Sequence, residues 1–124
     1  MGAVYLDVLV KRLPQDPAGE SIDFLIDTGA TYSVAPGEVL DRLGIVPHRS
    51  IDFVLADGSR MTRQLGGAYF EYGGIGGMAP VAFGETGDSN LLGVTALEAM
   101  SLMVDPLSRD LRRLPAILGR HQVP

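Results

Sequence analysis

An aspartate that directly follows a run of apolar residues is the group in this sequence best suited to chemistry. Asp27 comes after Phe24-Leu25-Ile26 and precedes Thr28 and Gly29. The apolar run predicts a strand that carries the carboxylate toward the protein interior, where a lone charge has to be hydrogen-bonded, paired or protonated. Gly29 permits a sharp turn, and Thr28 offers a hydroxyl that can hold the loop. Because Asp-Thr-Gly is also an ordinary turn composition, the tripeptide by itself indicates either a plain turn or a catalytic site.

Hydrolysis of an amide by carboxyl groups alone requires two of them. One carboxylate takes a proton from water, one carboxylic acid donates to the carbonyl oxygen, and two such groups in one site share a single proton. The chain has one Asp-Thr-Gly, and neither Asp57-Gly58-Ser59 nor Asp88-Ser89-Asn90 repeats its apolar context. We therefore expect the second carboxylate to be Asp27 of an identical subunit, related by a two-fold axis. Such a pair titrates with two apparent pKa values and predicts a bell-shaped pH profile.

The elements that must position this group are mostly short strands. Alternating apolar residues over 4–10 and the apolar run within 21–26 predict two strands joined as a hairpin. Further strands are expected over residues 50–56, 59–65, 68–72, 78–83, 101–104 and 111–114. Two short helices are expected, one from Pro36 to Gly44 and one over residues 94–100. Many short strands with turn residues at near-regular spacing indicate a mainly β domain, closed or nearly closed on itself.

One turn carries the strongest hairpin signal. Asp57 and Gly58 lie between the segments 50–56 and 59–65. This dipeptide favours positive backbone φ angles, and we predict a tight two-residue turn there.

The order of these motifs resembles that of the retroviral-like, or retropepsin-like, aspartic proteases. The resemblance spans roughly residues 4–106 and rests on Asp27-Thr28-Gly29-Ala30 after its strand, on the central hairpin, and on Leu91-Leu92-Gly93 before a helix. It implies an all-β fold, a small closed acid-protease barrel with one or two short helices, that forms a homodimer. It also implies an aspartic endopeptidase that hydrolyses peptide or protein substrates without a cofactor.

The resemblance further implies roles for individual residues. Asp27 would be catalytic, with its loop supported by Thr28, Gly29 and Ala30. The residues that match the flap and the substrate-binding positions are Val54, Ala56, Asp57, Gly58, Ser59 and Leu92. An extended peptide held between flap and loop would bind by strand addition, with alternate side chains in pockets.

Composition limits the other classes of function. At 124 residues, 46% hydrophobic and 20% charged, the chain fits one globular domain. We assign residues 1–124 to it, with a core over about 4–106 and a C-terminal extension, 107–124, whose role the sequence does not indicate. A net charge of −5 without a dense basic patch argues against a nucleic-acid partner. No apolar run approaches the roughly 20 residues of a membrane span.

Two further features bear on location and chemistry. The N-terminal residues lack the basic and apolar regions of a secretory signal, so a cytoplasmic location is expected. The absence of cysteine excludes disulfides, a thiolate nucleophile and thiolate metal ligands.

Other kinds of site find weaker support. His48 and His121 are far apart in sequence, and we expect no metal centre. Residues 74–79 fit the dinucleotide pattern G-x-G-x-x-A, but Pro80 and the β-like sequence after it are incompatible with the helix that pattern requires. A Ser-His-Asp arrangement using Ser33 stays open, although no Gly-x-Ser-x-Gly elbow is present. The principal alternative to a protease is a non-catalytic dimeric β domain that binds extended peptides or partner proteins in the same groove.

Overall fold

Short strands dominate the fold, as the alternation of apolar and polar residues predicts. A computed structural model describes residues 3–115, and the predictions that fall on residues 116–124 lie outside this range. The elements are β1 (Tyr5–Lys11), β2 (Glu20–Ile26), β3 (Ser33–Pro36), α1 (Gly37–Arg42), β4 (Arg49–Val54), β5 (Arg60–Tyr72), β6 (Ile75–Gly84), β7 (Leu91–Leu92), α2 (Val94–Ala99), β8 (Leu102–Val104) and β9 (Leu111–Arg113). The mainly β class and the two short helices are confirmed.

Seven of these strands form one strongly curled sheet. Their order is β1-β2-β7-β3-β6-β5-β4, and β1 also pairs with β5. The extra pairing joins the sheet into a barrel-like ring that leaves β4 outside as an edge strand. The ring is thin at β7, which has two residues and meets β3 through the single pair Val34 and Leu91. We therefore describe a barrel-like sheet, where the sequence predicted a closed barrel.

The core lies inside the curl of the sheet. Inward positions of β1, β2 and β5 are fully buried, and the rings of Phe24 and Phe70 lie 6.1 Å apart at 50°. Helix α2 adds Leu97 and Met100 to the same core. Apolar burial of this kind contributes roughly 1.5–3 kcal/mol for each large side chain, which holds the fold together without disulfides.

Two predictions about strand boundaries were wrong. β3 was missed, because Ser33–Pro36 is short and its proline indicated the start of a helix. β5 is one strand of 13 residues, whereas two strands had been predicted on either side of Gly66 and Gly67. It stays continuous because its first half pairs with β4 and its second half with β6.

The prediction of a two-residue turn at Asp57 and Gly58 was also wrong. The Leu55 N–H donates to the Ser59 carbonyl at 2.8 Å, so the loop consists of the three residues 56–58. Gly58 alone has a positive φ, +86°, which is the left-handed position of a three-residue hairpin loop. The turn with positive φ at both central residues joins β5 to β6 at Gly73 and Gly74.

The chain then forms a separate hairpin. β8 and β9 pair antiparallel in a two-stranded sheet, which confirms the predicted last strand. In the range 3–115 neither helix is long and apolar enough to cross a bilayer.

Candidate active site

The loop that carries Asp27 surrounds the end of β7. β7 is inserted between β2 and β3, pairing parallel with Ile26 and Leu25 on one side and antiparallel with Val34 on the other. The loop 27–32 that joins β2 to β3 therefore has to pass around β7. The backbone N–H of Asp27 donates to the Leu92 carbonyl at 3.0 Å. Asp27 is thus fixed by a segment that lies far along the chain.

The loop also folds back on its own aspartate. The N–H of Gly29 donates to Oδ1 of Asp27 at 3.0 Å, and the N–H of Ala30 donates to the Asp27 carbonyl at 3.1 Å. The first turn of α2 holds the Asp27 loop at Ala30, because the Val94 N–H donates to the Ala30 carbonyl at 2.8 Å. The carboxylate therefore has a set orientation before any ligand arrives.

A cleft opens between this loop and the β4–β5 hairpin. Its volume is about 660 Å³. The residues that line it are Asp27, Gly29, Ala30, Thr31, Tyr32, Val34, Ile51, Asp52, Phe53, Val54, Leu55, Ala56, Met61 and Leu91. Val54 and Leu55 are 64% and 42% exposed, so both present apolar side chains at the mouth of the cleft. The hairpin and the Asp27 loop thus form two walls around a mostly apolar space.

The structure brings together five of the residues that the sequence indicated. Asp27, Gly29, Ala30, Val54 and Ala56 all line the cleft. Asp27 is half-buried at the cleft wall, where the sequence had predicted a position toward the interior.

The other indicated residues lie outside the lining of the cleft. The hairpin loop that contains Asp57, Gly58 and Ser59 is exposed. Oδ1 of Asp57 accepts hydrogen bonds from the N–H and hydroxyl of Ser59, and these bonds lower the pKa of Asp57 below its usual value. Thr28 lines two smaller grooves beside β8.

Leu92, which the sequence indicated for substrate binding, lies outside the lining of the cleft. Its side chain is fully buried in the main core, and the neighbouring Leu91 lines the cleft instead. Adjacent residues of a strand point to opposite faces, so Leu91 and Leu92 lie on opposite sides of β7.

Sequence reasoning missed the apolar floor of the cleft. Tyr32, Ile51, Phe53 and Leu91 pack against a second buried cluster of Val34, Leu65 and Ala82. The alternation of Ile51 and Phe53 in β4 was the available signal, but it does not show which wall of a cleft a strand will form.

A second carboxylate, that of Asp52, lies on the hairpin wall. Its side chain is exposed, and Oδ1 accepts a hydrogen bond from the Thr62 hydroxyl at 2.6 Å. Asp52 sits in a polar setting on an edge strand, without the backbone cradle that holds Asp27.

An ion pair connects the hairpin to the segment that precedes β7. Arg63 on β5 donates from Nε and Nη2 to the two oxygens of Asp88, at 2.7 and 3.0 Å. The side chains are 13% and 17% exposed. The Arg63 hydrogen bond holds the pKa of Asp88 below its usual value, although desolvation acts in the opposite direction.

Two alternative kinds of site, a serine nucleophile and a metal centre, find no support among residues 3–115. Ser33 is fully buried, and its hydroxyl accepts the N–H of Gly93 at 2.9 Å, so it is not placed as a nucleophile. Among residues 3–115 no group of three or more His, Asp or Glu side chains could hold a metal ion.

A family model described as aspartyl protease matches residues 16–96 of the chain. The chain belongs to the aspartyl protease family. The matched range contains β2, the Asp27 loop, the β4–β5 hairpin and β7, which are the parts that build the cleft. The protease is accordingly a hydrolase of the aspartic endopeptidase class.

Solved structures show the same fold. Simian Foamy Virus (mac) protease, known from a solution structure, is 19% identical, with a TM-score of 0.53 over 77% of this chain and 92% of that one. EIAV protease, solved with the inhibitor HBY-793, is 20% identical, with a TM-score of 0.52 over 78% and 86% of the two chains. These likenesses confirm a retropepsin-like fold for the protease. No curated protein matches it.

Proposed function

We propose that two copies of the protease place their Asp27 carboxylates side by side on a two-fold axis and hydrolyse peptide bonds between them. The observation that carries the proposal is the position of Asp27. Its carboxylate lies in the wall of a cleft of about 660 Å³ and is oriented by the Gly29 N–H at 3.0 Å. Each lobe supplies one Asp27 carboxylate held in this way, and acid–base hydrolysis by carboxyl groups needs two carboxyl groups.

The two Asp27 carboxyl groups have different roles, because one is ionised and the other is protonated. The ionised Asp27 accepts a proton from a water molecule, whose oxygen attacks the carbonyl carbon of the substrate. The protonated Asp27 donates to the carbonyl oxygen as charge develops there. Because the two carboxyl groups share one proton, activity requires a pH between the two apparent pKa values of the pair.

An extended peptide is the substrate form that fits the cleft. β4 is the edge strand of the large sheet, so one side of its backbone has no strand partner among residues 3–115. A peptide lying along this edge can bond to the backbone while alternate side chains enter the apolar floor formed by Tyr32, Ile51, Phe53 and Leu91. The exposed Val54 and Leu55 would then cover it from the hairpin side.

A matched pair of variants tests the role of Asp27. Asp27→Asn should lower kcat for peptide hydrolysis by at least about a hundredfold, since it removes the proton acceptor and the shared proton. Asp52→Asn makes the same chemical change in the same cleft and should keep kcat within about twofold, because removing an exposed charge costs little. Both rates are measured with a peptide mixture read by mass spectrometry. Undiminished hydrolysis by Asp27→Asn would rule the proposal out.

Binding separates catalysis from simple peptide recognition. A peptide with a hydroxyl group in place of the scissile amide mimics the tetrahedral transition state, and a working pair should bind it far more tightly than the plain peptide. Asp27→Asn should abolish that preference. Equal affinity for both peptides, without hydrolysis, would indicate the alternative function of a dimeric peptide-binding domain.

A further inference from the structure

One face of the β4–β5 hairpin carries an arginine that no carboxylate neutralises. Arg49 opens β4, its side chain is exposed, and no Asp or Glu oxygen of residues 3–115 lies within 4.0 Å of its guanidinium. We propose that Arg49 and Tyr32 form a subsite that selects an acidic side chain, Asp or Glu, in the peptide substrate. The inference rests on the proposed function, because it names the kind of peptide that the same cleft prefers.

Strand alternation places Arg49 on the hairpin face that forms the floor of the cleft. Arg49, Ile51 and Phe53 are spaced two residues apart in β4, and residues with this spacing share a face. Ile51 and Phe53 pack against the second buried cluster. Directly opposite Arg49 on β5 is Leu65, a member of that cluster that is 1% exposed. The Arg49 side chain therefore starts from the apolar surface on which the peptide is proposed to lie.

The hydroxyl of Tyr32 holds the guanidinium beside the cleft. Nη2 of Arg49 donates to the Tyr32 hydroxyl at 3.4 Å, and Tyr32 lines the cleft as part of its floor. A guanidinium has five N–H donors in a planar fork, and this long bond engages one of them. The other donors can bond the two oxygens of a carboxylate, whose geometry matches the fork.

The other arginine on that face is arranged differently. Arg63 lies opposite Ile51, and its charge is neutralised within the lobe by Asp88 at 2.7 Å and by Glu85 at 3.5 Å. Arg49 has a phenol where Arg63 has two carboxylates. Because a phenolic hydroxyl bonds a guanidinium without neutralising it, Arg49 keeps a full positive charge that a substrate carboxylate can pair with.

The two carboxylates of the cleft have other partners. Asp52 lies in the opposite phase of β4 from Arg49, and its Oδ1 accepts the Thr62 hydroxyl at 2.6 Å. Asp27 lies on the other wall, where its Oδ1 accepts the N–H of Gly29 at 3.0 Å. The charge of Arg49 is therefore available to a ligand.

Strand geometry also determines the spacing of the expected preference. A peptide strand beside β4 places alternate side chains on the face of Arg49 and Ile51, with the Cβ atoms of opposite residues about 4.5–5.5 Å apart. The peptide residue opposite Arg49 is then two positions from the residue opposite Ile51. Opposite charges at such a pair are favourable and like charges are unfavourable. Preferred peptides should therefore carry Asp or Glu two positions from an apolar residue.

A set of matched peptides tests this preference. Short uncharged peptides with one leucine receive Glu, Gln or Lys at each position around that leucine in turn, and kcat/KM is measured at a pH above about 5, where Glu is ionised. At one position two residues from the leucine, Glu should exceed Gln roughly threefold to fivefold, the range of an exposed ion pair, and Lys should be the poorest. The difference should shrink in 1 M salt, where charges are screened over about 3 Å.

Variants of the arginine assign the preference to its charge. Arg49→Gln should erase the advantage of Glu over Gln, and Arg49→Glu should reverse the order in favour of Lys. The change should appear in KM with kcat nearly unchanged, as expected for a contact made equally in the ground state and the transition state. Tyr32→Phe keeps the apolar ring, removes the hydroxyl that positions the guanidinium, and should weaken the preference to a smaller extent.

Arg60→Gln is the matched control. It removes the same charge from the same hairpin, but Arg60 pairs with Val54 in the opposite phase of the strands and lies outside the cleft lining. This variant should keep the full preference for Glu.

Peptide binding separates the subsite from catalysis. The Asp27→Asn protein is titrated with the same Glu, Gln and Lys peptides by calorimetry. Tighter binding of the Glu peptide, lost in Asp27→Asn combined with Arg49→Gln, would support the subsite even if wild type cleaved none of the peptides, and the Asp27 pair alone would then fall. Equal treatment of the three peptides, or a preference that survives Arg49→Gln, would overturn the subsite and leave the pair standing.

Discussion

The N–H of Gly93 donates to the hydroxyl of Ser33 at 2.9 Å, across 60 residues of sequence and inside the protein. Ser33 opens β3 directly after the Asp27 loop, and Gly93 joins β7 to α2. Among residues 3–115, Ser33 is the one polar side chain that is buried. The bond therefore ties the segment that leaves the Asp27 loop to the segment that accepts the Asp27 N–H.

Loss of the Ser33 hydroxyl should destabilise the protein. Ser33→Ala leaves the buried N–H of Gly93 without its acceptor, which costs about 1–3 kcal/mol in the free energy of unfolding. Urea denaturation followed by circular dichroism measures the change. Ser59→Ala, which removes an exposed hydroxyl in the hairpin loop, should shift the midpoint much less. Equal midpoints for Ser33→Ala and wild type would show that the bond contributes nothing.

A methyl group at Gly93 should disturb the Asp27 loop directly. A Cβ atom there would lie 2.7 Å from the backbone carbon and oxygen of Tyr32 and 2.9 Å from the Ala30 carbonyl oxygen. These are backbone atoms of the loop, so Gly93→Ala has to displace it, at about 1–3 kcal/mol. We expect peptide hydrolysis to fall at least tenfold, because small displacements of catalytic groups are costly.

Gly67→Ala is the matched control for that variant. A Cβ atom at Gly67 meets nothing within 4 Å, so the substitution should be neutral or slightly stabilising. If both glycine variants kept full activity and stability, the close packing of Gly93 on the loop would matter neither for hydrolysis nor for stability.

The Arg63–Asp88 pair should make stability depend on pH in the acid range. Since the pKa of Asp88 is lowered in the folded protein, chiefly by the Arg63 hydrogen bond, the pair contributes above the unfolded pKa of about 3.9. That contribution is lost as pH falls toward the folded pKa. Asp88→Asn should therefore cost about 1 kcal/mol at pH 7 and progressively less as the pH falls below about 4.

A double-mutant cycle isolates the pair from other effects of acid. Arg63→Gln combined with Asp88→Asn should destabilise at pH 7 by less than the sum of the single variants, because the second change removes a group that has already lost its partner. Additive losses at pH 7 would mean that the two side chains act independently.

Val54 of the hairpin should contribute to substrate binding and should not affect folding stability. Val54 is 64% exposed and lines the cleft, so Val54→Ala should lower kcat/KM roughly fivefold through lost apolar contact with the peptide, about 1 kcal/mol. The unfolding midpoint should stay unchanged. Val46→Ala is the matched control, since Val46 is 77% exposed and lies outside the cleft lining. Equal kcat/KM for the two variants would argue against a hairpin that covers the substrate.

Prediction from sequence succeeded where the signal was local. The alternation in β1, the apolar run of β2 and the apolar spacing of α1 each follow from which side chains a single element buries. Asp27 was singled out in the same way, as a charge placed after apolar residues and before a glycine. The sequence did not indicate β3 or β7 as strands, because two to four residues give too little periodicity to decide.

The sequence by itself determined a mainly β lobe and indicated Asp27 as the carboxylate best suited to chemistry, because strand periodicity and turn residues are encoded within a few positions of each other. Only the tertiary structure decided that Leu91 and not Leu92 meets the cleft, and that Leu92 and Gly93 hold the Asp27 loop. These features depend on contacts between segments about 60 residues apart, and such contacts form only when the whole sheet closes around its core.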